Sequence, residues 1–430
     1  MTKNFLPKKL LVVQAAALSH PPGVFGFLRS GLMETVFPAV TCTASASFRT
    51  GLAPSEHGIV GNGHFFKALS RPMFWEQSAR LINGPRIWED FRKNGGKVGM
   101  FFWQQSLGEA LDMVLSPAPI HKHHGGMIEA CAAKPADLYD RVTKAVGRPF
   151  RLRHYWGPLA SAKAGDWIAE AVSWIMAQKD LAPDLCLCYL PTLDYDLQRF
   201  DPKGPAARKA ARFLDSQLSM LMDAAEAKGY DVVVFGDYAI APVSGAVYPN
   251  RVLYDSGLFA TRSVKGMLYP NFHESRAFAV VDHQIAHVYV QNAADLAETA
   301  RLLSNLEGVK SVFDKNAQKE AGIAHENSGD LVLVSTSDKW FAYPWWTDKG
   351  EAPDYATHVD IHQKPGYDPC ELFFGWPPVS VGQNPGRIRG SHGIAGPNRK
   401  VFWGSTISFP KDPEDLLELA AMVREHLKQI

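Results

Sequence analysis

The sequence predicts an α/β fold: a doubly wound, mostly parallel sheet between two layers of helices, with a small α+β subdomain inserted. Three observations carry this expectation. Short apolar runs at residues 10–13, 98–102, 185–190 and 232–235 end at Gly or polar residues. Runs of that length, apolar on both faces, suit a parallel sheet covered on both sides. Residues 207–228 place Phe213, Leu214, Leu218, Leu221 and Met222 at helical spacing and stop at Gly229, just ahead of the run at 232–235. That is the rhythm of a strand–helix–strand unit. Between about 282 and 330 the pattern changes: 286–290, 309–313 and 331–334 read as strands and 293–306 as a helix. The expected division is a main unit of residues 1–280 and 331–430, interrupted by the subdomain at 281–330.

Taken in order, the first run follows Lys3, Lys8 and Lys9 and superficially resembles a signal peptide, but it is broken at Gln14, His20 and Pro21-Pro22. It reads instead as a first buried strand. No run reaches the roughly 18 apolar residues of a membrane span, so a cytoplasmic chain without a membrane partner is expected. In doubly wound sheets the loops at the carboxyl ends of strands face the ligand crevice, and Asp194 and Asp237 fall there. Residues 115–160 and the aromatic run 340–346 show no clear period and read as long functional or covering loops. The aromatics Trp340, Phe341, Tyr343, Trp345 and Trp346 suit either the wall of a base or acyl pocket or, more commonly, core packing. The chain closes with Asp412 as an N-cap, Pro413 at the first helical position and an amphipathic helix to about 429.

Composition removes several function classes. The 430 residues, 46% hydrophobic and 21% charged, can bury a large core. A net charge of +1, from 45 Lys+Arg against 44 Asp+Glu, supplies no broad basic surface for a nucleic-acid polymer. Any anionic ligand must be held by a local site. Five cysteines without a C-x-x-C pair are not a disulfide framework or a cysteine zinc site; they read as reduced, mostly buried thiols.

The strongest motif runs from Phe37 to Asn62. It contains Thr41, then Thr50-Gly51, then Pro54-Ser55-Glu56-His57-Gly58-Ile59. This spacing resembles the nucleophile segment of the nucleotide pyrophosphatase/phosphodiesterases and phosphonoacetate hydrolases, within the alkaline phosphatase superfamily. The resemblance extends over roughly residues 8–110, 183–245 and 280–405 and implies an alkaline-phosphatase-like three-layer fold. It makes Thr41 the matching nucleophile. A hydroxyl at a helix N-terminus sees a positive dipole end, which favours an alkoxide and an incoming phosphate. The alternative is that Thr41 or Thr43 only caps the helix. Thr43 and Asn62 are candidate substrate contacts, since Ala44 stands where this branch often has Asn; scaffold roles are the simpler reading for His57 and Asn62.

The family resemblance also implies a two-metal site of Asp and His ligands, which would hold the phosphoryl oxygens and activate the nucleophile. Aligned residue by residue, Asp194, Asp237 and His392 are kept, whereas Ala16, Gln198 and Tyr238 stand where an Asp and two His belong. An amide oxygen is a poor ligand for zinc. His358, Asp360 and His362 share one face of an alternating stretch and are candidates to rebuild a single site; solvated or mutually hydrogen-bonded side chains are the alternative. His283 and His287 read as structural residues at the start of the subdomain.

The expected function is a phosphodiesterase/pyrophosphatase-like hydrolase using Thr41 and an atypical divalent-metal site, zinc first with Mg or Mn as alternatives. Its substrate would be a small phosphoester or pyrophosphate. A degenerate binding or assembly protein, favoured by Ala16, Gln198 and Tyr238, is the second reading, and a biosynthetic transferase the third.

Overall fold

The computed structural model describes residues 9–24, 26–359, 365–366, 372–374 and 380–430. Its principal strands, in chain order, are β1 (Lys9–Ala15), β2 (Arg29–Met33), β3 (Val98–Phe101), β4 (Met113–Pro117), β5 (Cys131–Lys134), β6 (Leu185–Leu190), β7 (Tyr230–Gly236), β8 (Ala277–Asp282), β9 (Ile285–Val290), β10 (Val309–Phe313), β11 (Leu331–Ser335) and β12 (Val401–Ser405). Its longer helices are α1 (Thr41–Thr50), α2 (Leu138–Val146), α3 (Lys163–Ala177), α4 (Thr192–Arg199), α5 (Pro205–Lys228), α6 (Leu296–Ser304) and α7 (Leu416–Leu427).

The main sheet has eight strands in the order β2-β12-β7-β1-β6-β3-β4-β5. The five from β7 to β4 are parallel, while β12 and β5 join antiparallel on either side. Strand alternation sends Leu10 and Val12 to one face and Leu11 and Val13 to the other. The first pair packs with Ala44 and Phe48 of α1 and Leu419 and Val423 of α7. The second packs with Ile168 of α3 and Leu214 and Leu218 of α5. Helices on both faces make this the α/β three-layer arrangement that the unbroken apolar runs require.

Two local expectations are corrected. Residues 115–160 are not all loop: β4, β5 and α2 lie there. α2 buries only Leu138 and Val142, one pair four residues apart, which is too brief a period to stand out in the sequence. The last helix is capped by Asp415, whose side chain accepts from Glu418 N at 2.8 Å. Asp412 instead pairs with Arg29 at 3.0 Å, a tertiary use invisible to a local capping rule.

β8, β9, β11 and β10 form a four-stranded antiparallel sheet, which takes in Ala277–Asp282 and Leu331–Ser335 on either side of 281–330. The aromatic run splits between two cores. Phe341, Tyr343, Trp345 and Trp346 pack behind this sheet, and Trp340 and Ala342 join Val243 and Ile388. Facing two directions at once, the run follows neither period. The small sheet is tied to the segment after α1: Asp282 accepts from Asn62 N at 2.7 Å and Asn62 Nδ2 at 3.1 Å, and His287 Nε2 donates to Val60 O at 2.8 Å.

Cys42, Cys186 and Cys188 are buried thiols outside any disulfide; Cys370 lies outside the described residues. No described helix is long and apolar enough to cross a membrane.

Arg49, near the end of α1, is fully buried. Nη1 donates to Gln105 O at 2.8 Å, Nη2 donates to Gln104 O, and Glu109 lies 3.4 Å away. Burial pushes its pKa down to about 9, opposed by Glu109. Arg49→Ala leaves two buried carbonyls without donors and is expected to cost about 3–5 kcal/mol, read as a lower urea midpoint. Because Gln104 lines the cleft described next, the same variant should disturb ligand binding.

Candidate active site

The segments after the carboxyl ends of β3, β6 and β7 open onto a solvent-open cleft of about 750 Å³, lined by Thr41, Gln104, Tyr155, Trp156, Asp194, Arg199, Tyr238, His283 and His392 among others. Thr41 opens α1, but it is not the cap. Val40 holds that position in extended conformation, without a side-chain cap bond. The Thr41 hydroxyl is therefore not used in capping, and Thr41 lines the cleft together with Tyr238.

Each partner arrives on its own element. α4 carries Asp194 in its first turn and Gln198 one turn later, and Gln198 Nε2 donates to Asp194 Oδ1 at 2.7 Å. The same oxygen accepts from the Tyr238 hydroxyl at 2.7 Å. Tyr238 and Asp237 follow Gly236, the last residue of β7. A Cβ on Gly236 would sit 2.0 Å from Leu18 O, so only glycine lets the turn after β1 close over this point. Gly236→Ala is expected to lift that turn away from Asp237 and lower the thermal midpoint by several degrees, as seen by calorimetry.

Asp237 is fully buried. Its Oδ1 accepts from Ala17 N at 3.0 Å and Tyr238 N at 2.9 Å, and its Oδ2 from Gln14 Nε2 at 3.0 Å. Burial pushes its pKa up to about 7, against the pull of the Gln14 and Ala17 hydrogen bonds. Gln14 is fixed in turn by Ser45, whose hydroxyl donates to Gln14 Oε1 at 2.8 Å.

His392 donates Nδ1–H to Ala39 O at 2.9 Å, a carbonyl that can only accept, so Nε2 carries the lone pair. Burial, then the adjacent His283, pushes its pKa well below the ordinary histidine value. Its Nε2 lies 3.9 Å from Asp194 Oδ1. The Tyr238 ring stacks on one side at 3.6 Å and 6°, and His283 stacks at 3.9 Å. His283 is oriented by Asp282, with Nδ1 2.8 Å from Oδ1. Arg199 brings positive charge to the cleft, its guanidinium held by the carbonyls of Gly157, Pro158 and Ala160.

The sequence profile of the type I phosphodiesterase / nucleotide pyrophosphatase family matches residues 27–368. The chain belongs to that family. Among curated relatives, human ectonucleotide pyrophosphatase/phosphodiesterase family member 1 is 24% identical over 195 residues, 44% of this chain and 17% of that protein. Venom phosphodiesterase of Macrovipera lebetinus is 21% identical over 237 residues, 53% of this chain and 23% of that protein. The chain thus spans less than a quarter of the length of these relatives, at 17% and 23%. Among solved structures, phosphonoacetate hydrolase from Sinorhizobium meliloti 1021 in complex with phosphonoacetate superposes with a TM-score of 0.65 at 16% identity, covering 98% of this chain and 96% of the other. An inactive form of murine ectonucleotide pyrophosphatase/phosphodiesterase 5 in complex with AMP gives 0.60 at 13% identity, covering 98% and 95%. These neighbours share the alkaline-phosphatase-like fold.

Of the residues singled out in the sequence, Thr41, Asp194 and His392 line one cleft, and Asp237 lies behind it, joined through Tyr238. Thr43 and Asn62 do not line it. Thr43 Oγ1 is sealed inside α1 packing, while Asn62 Oδ1 accepts from Cys42 N at 3.0 Å and its amide braces Asp282, leaving no group for a ligand. His358 is exposed, its Nδ1 held by Asp354 O at 2.8 Å, and it follows a 3-10 turn at Asp354–Thr357 rather than lying in a strand. Asp360 and His362 lie outside the described residues.

His283, read in the sequence as a structural residue at the start of a strand, lines the cleft. It sits with Gln284 in the tight turn between β8 and β9, at a left-handed φ of 60°, and not in the strand. Two apolar runs flanking Asp282-His283-Gln284 were the available signal for that turn. Tyr155 and Trp156 had no local signal.

The donors of this cleft do not fit a pair of metal ions. Among the described residues, no cluster of three or more His, Cys, Asp or Glu side chains is arranged to hold one. Asp237 has both oxygens engaged and Asp194 Oδ1 accepts twice.

Proposed function

We propose that this chain hydrolyses a small phosphoester or pyrophosphate in the cleft, with Thr41 as nucleophile. The observation that carries this reading is that Thr41 lines the cleft together with Tyr238 and Asp194, with the Tyr238 hydroxyl donating to Asp194 Oδ1 at 2.7 Å. As the Thr41 oxygen bonds to phosphorus, its proton passes to the Tyr238 oxygen and the Tyr238 proton to the Asp194 carboxylate. The bond from phosphorus to the leaving oxygen breaks, and that oxygen takes the proton from Asp194. Water then cleaves phospho-Thr41 and restores the hydroxyl. Arg199 and the start of α1 favour the anion; Trp156 and Tyr155 wall its substituent. Phosphonoacetate and AMP, the ligands of the solved neighbours, give the size class of substrate.

A second reading, ligand binding without turnover, is favoured by Tyr238, which fills space between Asp194 and His392. Hydrolysis of a nitrophenyl phosphodiester by wild type and Thr41→Ala separates the two. Turnover that depends on Thr41 supports the hydrolase. Equal background rates, with AMP still bound in calorimetry, establish the binding protein. Zinc, Mg or Mn at Asp194, Asp237, His392 and the segment holding His358, Asp360 and His362 is the cofactor reading checked by elemental analysis of the same preparation.

A further inference from the structure

We infer that Tyr238, together with Gln14 and Gln198, takes the place of the two metal ions that the family fold would hold, so that neutral hydrogen-bond donors and not bound cations stabilise the two carboxylates here. The inference concerns the same cleft as the proposed hydrolysis but does not require turnover.

Two carboxylates at one site, here Asp194 lining the crevice and Asp237 behind it, ordinarily need a cation between them, since like charges in a region of low dielectric repel strongly. Here each carboxylate meets neutral donors. Asp194 Oδ1 receives the Tyr238 hydroxyl and the Gln198 amide, both at 2.7 Å. Asp237 receives Gln14 Nε2 and two backbone N–H groups. Five donors to two carboxylates fill most of the lone-pair sites that a metal would use.

The departures from the family pattern act together. Ala16 removes one carboxylate, and so one negative charge. Gln198 exchanges an imidazole lone pair for an N–H pointed at Asp194. Tyr238 puts a ring where another imidazole would stand, lying flat on His392 at 3.6 Å. Any one change alone would leave a cation short of ligands. Together they turn a crevice rich in acceptors into one in which donors meet both carboxylates, each bond strengthened by the low-dielectric surroundings. Gln14, held by Ser45 at 2.8 Å, supplies one such donor on the Asp237 side.

The test is metal uptake by the full chain. After incubation with zinc and gel filtration, elemental analysis of the wild type should find well under one zinc per chain, and neither zinc nor a chelator should move its thermal midpoint. The triple variant Ala16→Asp, Gln198→His, Tyr238→His should retain zinc through gel filtration and show a midpoint that rises with added zinc. Wild type carrying one or two ions per chain, with a midpoint that falls on chelation, would overturn the inference. So would a triple variant that has native near-ultraviolet circular dichroism yet takes up no zinc. If the triple variant does not fold, the wild-type measurements decide alone. Failure here is separable from failure of the proposed hydrolysis: a metal-loaded wild type with Thr41-dependent turnover sinks this inference only, and a metal-free, inert wild type sinks the hydrolase only.

Discussion

Thr41→Ala is expected to lower the turnover of a nitrophenyl phosphodiester by about 10³-fold or more, while AMP affinity changes by no more than a few-fold. The asymmetry follows from where the hydroxyl sits. Thr41 is at the first helical position with Val40 as the cap, so removing its oxygen deletes the proposed attacking atom without uncapping α1. Thr41→Ser keeps the oxygen and should retain measurable activity. Asp194→Asn keeps shape but removes the final proton acceptor, and a loss of about 10²–10⁴-fold is expected. Tyr238→Phe breaks the relay between the two and should lose activity in the same range, with the pH profile displaced. If Asp194→Asn and Tyr238→Phe were as active as wild type while Thr41→Ala was dead, the relay would be wrong but the nucleophile right.

The second large effect concerns acid. Burial, helped at His57 and His64 by a neighbouring histidine and opposed at His287 by the Val60 carbonyl and Asp282, pushes His57 down to about 3 and His64 and His287 down to about 4; His392 is also strongly lowered. Each is neutral when folded and protonates freely when unfolded. The stability they supply is fully present above about pH 6.5 and is lost as pH falls through the range down to about 4. Below pH 6.5 each group contributes a slope of about 1.4 kcal/mol per pH unit, so together they should remove several kcal/mol by pH 5. Asp237 acts in the opposite sense. Its raised value, about 7, gives stability that is present at low pH and lost as pH rises through about 7, which offsets roughly one histidine. The urea midpoint should therefore fall steeply between pH 7 and pH 5. His287→Gln should flatten that slope by about 1.4 kcal/mol per pH unit. A midpoint unchanged across this range would mean that the histidines are not held neutral in the fold.

Local pattern determined much of this protein. The apolar runs at 10–13, 185–190 and 232–235 became the central strands because a strand buried on both faces needs no partner information to be recognised. The period of α5 and its stop at Gly229 are likewise properties of one segment. The spacing from Thr41 to Gly58 marked the family and the start of α1. Position after a strand end placed Asp194 and Asp237 near the crevice.

Tertiary structure alone decided what those residues face. Gln14 meets Asp237 across 223 positions, and Asn62 meets Asp282 across 220. Neither pairing leaves a periodic trace, because a side-chain hydrogen bond constrains two distant atoms and not the segment around them. Tyr238 read along the chain is a missing histidine. Only the packing of His392 from the far end of the sequence shows that its ring and hydroxyl fill the gap. His283, in a turn set by the pairing of β8 with β9, reaches the cleft for the same reason.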